Sequence, residues 1–167
     1  MPNMHVCSIT WEDGRFVSRA AGIMVDGKKR VLLSRLEGED FWFLAGGIIR
    51  LHETAQETVK REFFEEAGFE VEVHRLLGII ENFFTLNDEK WHEIGFYFLV
   101  APKEAKGLWE QQEFVGQEES DTPYRCRKLT FKWFDPSELG ELNLKPSVLI
   151  ELLKNMPEHP VHIVHHA

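Results

Sequence analysis

The feature that most restricts this chain is the stretch Gly46–Phe69, GGIIRLHETAQETVKREFFEEAGF, a glycine loop followed by a helix loaded with carboxylates. Thr54 and Glu57 carry the S/T-x-x-E spacing of a capping box, which starts the helix at Ala55. Gly68 supplies the left-handed residue that ends it. At roughly 100° per residue, Glu62 and Glu66 fall within about 40° of each other, with Glu65 about 60° from Glu62. Ala55, Val59 and Phe63 run beside this acidic edge, so the packed side of the helix borders the carboxylates. Three like charges this close repel unless something cationic sits among them. The plainer account is a solvated helix laced with i,i+4 pairs, Glu57 with Arg61 and Arg61 with Glu65.

The full spacing favours the first account. Gly47, five residues, Glu53, seven residues, then Arg61-Glu62-Phe63-Phe64-Glu65-Glu66-Ala67-Gly68-Phe69 resembles the Nudix box at every fixed position. Nudix hydrolases cleave a nucleoside diphosphate linked to another group, using Mg²⁺ or Mn²⁺ and an attacking water. Hard carboxylate oxygens suit Mg²⁺, which is usually shared with substrate phosphates, and one acidic ridge can hold more than one ion. The resemblance implies that Glu62, Glu65 and Glu66 are metal ligands, joined by the Gly47 carbonyl. It implies that Glu53 supports the site and that Arg61 orients a carboxylate of the helix.

Three residues depart from the common Pro-Gly-Gly-x-x-Glu-x-Gly-Glu form of the loop. Ala45 gives up the fixed φ of a proline. His52 replaces a glycine able to take φ > 0, which histidine tolerates better than a β-branched residue. Arg50 stands where an acid is common, and it reads equally as a substrate-phosphate contact or a solvated side chain. No fixed position of the box changes.

A length of 167 residues predicts one domain, 1–167, with one well-buried core. The formal net charge of −9 argues against a nucleic-acid polymer or an anionic membrane as partner. No apolar run approaches the roughly 20 residues of a membrane span. The start MPNMHVCSITWEDGR lacks the basic and apolar stretches of a signal peptide. Cys7 and Cys126 form neither a CxxC motif nor a disulfide framework, so a reducing cytoplasm is the expected setting.

Strand-like segments His5–Thr10 and Arg15–Ala20 flank Glu12-Asp13-Gly14, and Ala21–Val25 and Arg30–Arg35 flank a second turn. Arg35 ends its strand where the family often places a substrate-facing cation; a surface arginine is the other reading. Phe41-Trp42-Phe43-Leu44 reads as core and loop anchors. Glu70–Phe84 is a long strand with a bend at Gly78, and Trp91–Val100 returns from a turn at Asn87-Asp88-Glu89. Glu81-Asn82-Phe83-Phe84 and His92-Glu93-Ile94-Gly95-Phe96 resemble a subgroup of bacterial Nudix proteins, a likeness that names no substrate; Glu81 and Phe83 are candidate substrate contacts. His92 and Glu93 fit either a cleft lining or a salt bridge at the hairpin edge.

The segment from Pro102 to Arg127 reads as irregular, too long for an idle connection. Several Nudix enzymes carry an extra metal ligand or general base here, for which Glu118 and Glu119 are the positional candidates; a solvated acidic loop is the alternative. Leu129–Phe134 is a strand, Pro136 opens a helix, and Pro146 opens another through Lys154 with a stripe of Val148, Leu149, Leu152 and Leu153. Val161–His165 closes the chain as a short strand.

The resulting fold expectation is an α/β/α sandwich around a mixed β-sheet. The expected reaction is Mg²⁺-dependent hydrolysis of a phosphoanhydride in a small diphosphate-containing molecule, such as a nucleotide sugar or a (d)NTP. Specificity falls to the loops 36–42, 81–95 and 105–127. A binding or regulatory module with little turnover is the rival, which the complete glutamate set disfavours. The isopentenyl diphosphate isomerase branch uses a cysteine near the box, and none lies between Cys7 and Cys126. Homodimers are common in the family, and Phe64, opposite Glu62 and Glu66, would be covered by a second copy or by the chain itself.

Overall fold

The Glu12-Asp13-Gly14 turn joins β1 (Ser8–Trp11) to β2 (Gly14–Met24), in a computed structural model that describes residues 5–118 and 127–167. The two segments expected on either side of Ala20–Ala21 are one unbroken strand, because nothing between them breaks the extended run. β3 (Val31–Leu36) and the short β4 (Gly46–Ile48) follow, then α1 (Ala55–Glu62). The long hairpin of β5 (Val71–Leu86) and β6 (Glu89–Pro102) comes next, with a register shift at Leu76/Gly78 where a bend was expected. β7 (Glu113–Glu118), β8 (Arg127–Phe134), α2 (Leu149–Asn155) and β9 (Val161–His166) complete the chain.

The larger sheet is mixed and runs β1-β2-β6-β5-β9, with β4 pairing to β2. β2 lies parallel to β6, and β5 parallel to β9, while β5 and β6 are antiparallel. A second, antiparallel sheet runs β3-β8-β7. Alternate residues of β2 divide between two cores, as the two-residue repeat of a strand requires. Ala20 and Met24 join Val59 and Phe63 of α1, whereas Ala21 and Ile23 join Leu149, Leu152 and Leu153 of α2. The helices therefore cover opposite faces of the mixed sheet, the α/β/α arrangement expected. Burying each such Leu or Phe contributes about 1.5–3 kcal/mol, so both faces are fixed by apolar area. No helix among the described residues is long and apolar enough to cross a membrane.

Several elements differ from expectation. The interval 102–127 contains β7, whose short Glu-Phe-Val-Gly-Gln-Glu run hides its pairing with β8. Pro136 opens only turns and a short 3-10 segment at Leu139–Glu141. α2 begins at Leu149, three residues after Pro146. Glu119, Cys126 and the Asp121-Thr122-Pro123 signal lie outside the described residues. Phe64 is 61% exposed, so its own chain does not cover it.

Candidate active site

The capping box forms as the spacing predicts. The Glu57 amide donates to Thr54 Oγ1 at 3.2 Å, and the Thr54 amide donates to Glu57 Oε2 at 2.8 Å. Glu57 is thereby turned back to the cap and does not pair with Arg61. At its other end α1 runs into a single π-helical turn, Phe63–Ala67, closed by Gly68 at φ 79°. A wider turn rotates each residue less than 100°, so Glu65 and Glu66 sit off the regular helical projection. Hydrophobic periodicity gives no sign of this change.

Arg61 is the cation among the carboxylates. Its Nε and Nη2 donate to Glu53 Oε1 and Oε2 at 2.7 and 3.0 Å. Its Nη1 donates to both Glu62 and Glu65, the latter at 3.0 Å. Arg50 adds a donor to Glu65 at 3.3 Å, so it is neither free in solvent nor an isolated phosphate contact. Glu53 also accepts from the Arg50 amide and the Thr58 hydroxyl. Burial works against its charge, but these donors prevail and hold its carboxyl down to about 2. His52, at φ 66°, takes the left-handed conformation expected at that point of the loop.

Glu66 lies inward from this network. It is 7% exposed, and its Oε2 is buried with no hydrogen-bond partner among the described residues. Burial, then the charges of Glu62 and Glu118, push its carboxyl up to about 8 against the pull of Arg19. Burial also raises Glu62, although Arg61 opposes it. Glu62 lies directly on the Cα of Gly47, where any Cβ would collide with its carboxylate. That close approach explains the fixed glycine: it lets a carboxylate of α1 settle on the backbone of β4.

Among the described residues, no three His, Cys, Asp or Glu side chains form a ready cage for a metal ion. Arg61 explains this, because its guanidinium occupies the space between Glu53, Glu62 and Glu65. The donor set nevertheless fits a hard divalent cation. Every donor is oxygen, and the buried Glu66 Oε2 lacks a partner that a cation would supply.

Glu118, at the end of β7, is near enough to Glu66 to act on its charge and lies 3.4 Å from Arg127. The fold thus brings Glu53, Arg61, Glu62, Glu65, Glu66, Arg50, Gly47 and Glu118 together. Arg35 is elsewhere. Its guanidinium lies 4.6 Å from the Trp42 ring, at a cleft of about 490 Å³ formed with loop 36–40, Val115, Lys128 and Thr130. No ridge carboxylate lines that cleft. Glu81 meets His162 at 2.7 Å and His92 at 3.7 Å, and Phe83 stacks between His92 and His166. These partners all belong to β6 and β9, not to α1.

Sequence reasoning missed Arg19. Half-buried in β2, it donates through Nη2 to the carbonyls of Leu44 and Gly46, both at 3.1 Å. Burial disfavours its charge, but Glu93, Tyr97, Glu66 and Glu62 more than restore it. A lone arginine in an apolar run carries no periodic signal, so only the tertiary fold reveals it.

A NUDIX domain model matches residues 16–155. A MutT-like protein of Streptomyces ambofaciens is 40% identical over 62 residues, covering 37% of this chain and 40% of that protein. Diphosphoinositol polyphosphate phosphohydrolase 3-alpha of Mus musculus is 27% identical over 111 residues, 65% of each. The chain thus spans less than two-thirds of the length of both relatives. Among solved structures, an ADP-ribose pyrophosphatase from Streptococcus suis shares the fold with a TM-score of 0.58 at 15% identity, over 89% of this chain and 98% of that one.

Proposed function

The chain belongs to the Nudix hydrolase family, and from that membership we propose that it hydrolyses a phosphoanhydride bond in a nucleoside diphosphate derivative with Mg²⁺ as cofactor. Family membership supports hydrolysis of a diphosphate-containing molecule; the nucleoside part of the reading is ours. The observation that carries it is Glu66, a buried carboxylate with a partnerless oxygen at the end of an acidic ridge. Glu62, Glu65, Glu66 and the Gly47 carbonyl would hold the ion. Bound there, Mg²⁺ would neutralise diphosphate charge and lower the pKa of an attacking water.

The chain's own residues do the positioning. Glu53, fixed by Thr58 and the Arg50 amide, anchors the Arg61 guanidinium, which in turn sets the carboxylates of Glu62 and Glu65. Glu118 is our choice for the group that takes the proton from water, since it approaches Glu66 from a separate strand. Phosphate release from nucleotide sugars, dinucleoside polyphosphates and (d)NTPs with Mg²⁺ tests the reading. Turnover of at least one class is expected. Failure on every class would favour a binding module in which Arg61 neutralises the ridge permanently.

A further inference from the structure

Three consecutive carbonyls lead into the glycine loop, those of Leu44, Ala45 and Gly46, and β2 holds all of them. Arg19 Nη2 donates to the first and the third at 3.1 Å each, and the Gly22 amide donates to the second at 3.0 Å. That nitrogen carries two N–H groups in a fixed plane, one for each carbonyl. The peptide between Ala45 and Gly46 is therefore gripped from both sides. Its N–H, the Gly46 amide, is within hydrogen-bond reach of the Glu66 carboxylate and favours its charged form. Gly47 follows directly, with the Glu62 carboxylate resting on its Cα.

β6 builds the seat for this arginine. Gly95 stands directly beside Arg19 in the parallel pair, and Glu93 and Tyr97 lie one diagonal step to either side. The Tyr97 ring folds back over Gly95, where a Cβ would come 2.8 Å from Tyr97 Cε2. Any side chain at position 95 would push the ring away. Burial opposes the Arg19 charge, and Glu93 is the first of the neighbouring groups that restore it.

Ala45 occupies the point of the loop where a proline is common, so no ring fixes its φ. We propose that Arg19, seated against Glu93 and Tyr97, is a positioning residue that takes over this duty and sets the loop for the metal site. With the carbonyls of Leu44 and Gly46 held, the Gly46 amide meets Glu66 and the Gly47 carbonyl is presented to the ion. The link to a metal rests on the hydrolase reading; the grip on the loop does not.

Mn²⁺ binding, read from the EPR signal of the free ion, tests the grip without turnover. Arg19→Lys keeps a positive charge before Glu93 but replaces the planar fork by a point donor on a different stem. Arg19→Met with Glu93→Gln removes the grip without stranding a buried carboxylate. Both should melt close to wild type and raise the Kd for Mn²⁺ about tenfold or more, as loss of a group that orients a ligand does. Their kcat should fall while KM stays within about twofold, since Arg19 does not touch the substrate. Adding Ala45→Pro to either should restore most of the Mn²⁺ affinity, because the ring fixes what the arginine had held. Wild-type Mn²⁺ affinity in both variants overturns the proposal, and so does a wild type that binds no Mn²⁺. A raised KM with Mn²⁺ affinity intact overturns it too, by making Arg19 a substrate contact. A proline that restores nothing removes the exchange of arginine for ring. Turnover by wild type with Mn²⁺ affinity indifferent to Arg19 would sink the positioning role and leave the hydrolase intact. Mn²⁺ affinity that falls with Arg19 and returns with Ala45→Pro, without turnover of any diphosphate, would do the reverse.

Discussion

Gly116 of β7 lies flat against the carbonyl oxygen of Glu66, with no room for a side chain between them. A Cβ at Gly116 would also come 2.7 Å from Phe131 Cε2, so it could not swing aside. The second sheet is thus pressed onto the π-helical turn that carries Glu65 and Glu66. Gly116→Ala should therefore disturb the ridge without touching a carboxylate. Overpacking of this kind costs about 1–3 kcal/mol. We expect a lower melting temperature and a kcat reduced about tenfold or more; an unchanged kcat would mean that β7 does not hold the turn in place.

Glu65→Gln and Glu66→Gln should each lower kcat by about two orders of magnitude or more, since each would remove charge stabilisation from the transition state. Glu118→Gln should lose kcat while its half-saturating Mg²⁺ concentration stays near wild type. Steady-state rates across a Mg²⁺ titration separate the cases. A weakened Mg²⁺ response in Glu118→Gln would make that residue a ligand instead of a base.

Without metal, the raised Glu66 carboxyl makes stability fall with rising pH. Its folded-state value, about 8, lies above its ordinary value of 4.5. The contribution is fully present below the ordinary value and is lost as pH climbs through about 8. Glu62 is shifted in the same direction. In EDTA, the difference in melting temperature between Glu66→Gln and wild type should therefore grow in favour of the mutant from pH 5 to pH 9. A constant difference would show that Glu66 is not held under this strain.

Bound metal should reverse that trend. Mg²⁺ at about ten times its Kd adds about 1.4 kcal/mol to the folded state, a rise of roughly 2–4 °C for a domain of this length. Scanning fluorimetry should show this rise in wild type and little of it in Glu66→Gln. A full rise in the mutant would place the ion elsewhere.

Local chemistry made much of the site readable in advance. Thr54 with Glu57, Gly68 and His52 each declare a backbone conformation through their own side chain or its absence, and all three hold. Val59 and Phe63 mark the packed side by spacing alone. The π-helical turn left no trace, because hydrogen-bond register within a helix has no side-chain signature. The threefold grip of Arg61 on Glu53, Glu62 and Glu65 combines loop and helix, so pair spacing along the helix captured only the Glu65 contact. Gly116 and Arg19 take their neighbours from elements far apart in sequence. Glu81 and Phe83, candidate substrate contacts by sequence, have histidines of the same sheet as neighbours, a proximity that only the strand order reveals.

The parallel pairing of β2 with β6 sets Gly14 beside Lys90 and Met24 beside Val100, so a long stretch of chain must be synthesised before the two can meet. Such contacts pay their loop-closure entropy before they return any energy, and they form late in folding. The acidic helix, by contrast, is capped by its own residues. During synthesis its carboxylates would emerge before Arg19 has β6 alongside it. A chain stopped before Glu89 would carry the ridge glutamates without the sheet floor, able to attract a cation but with no surface against which to orient what the cation brings.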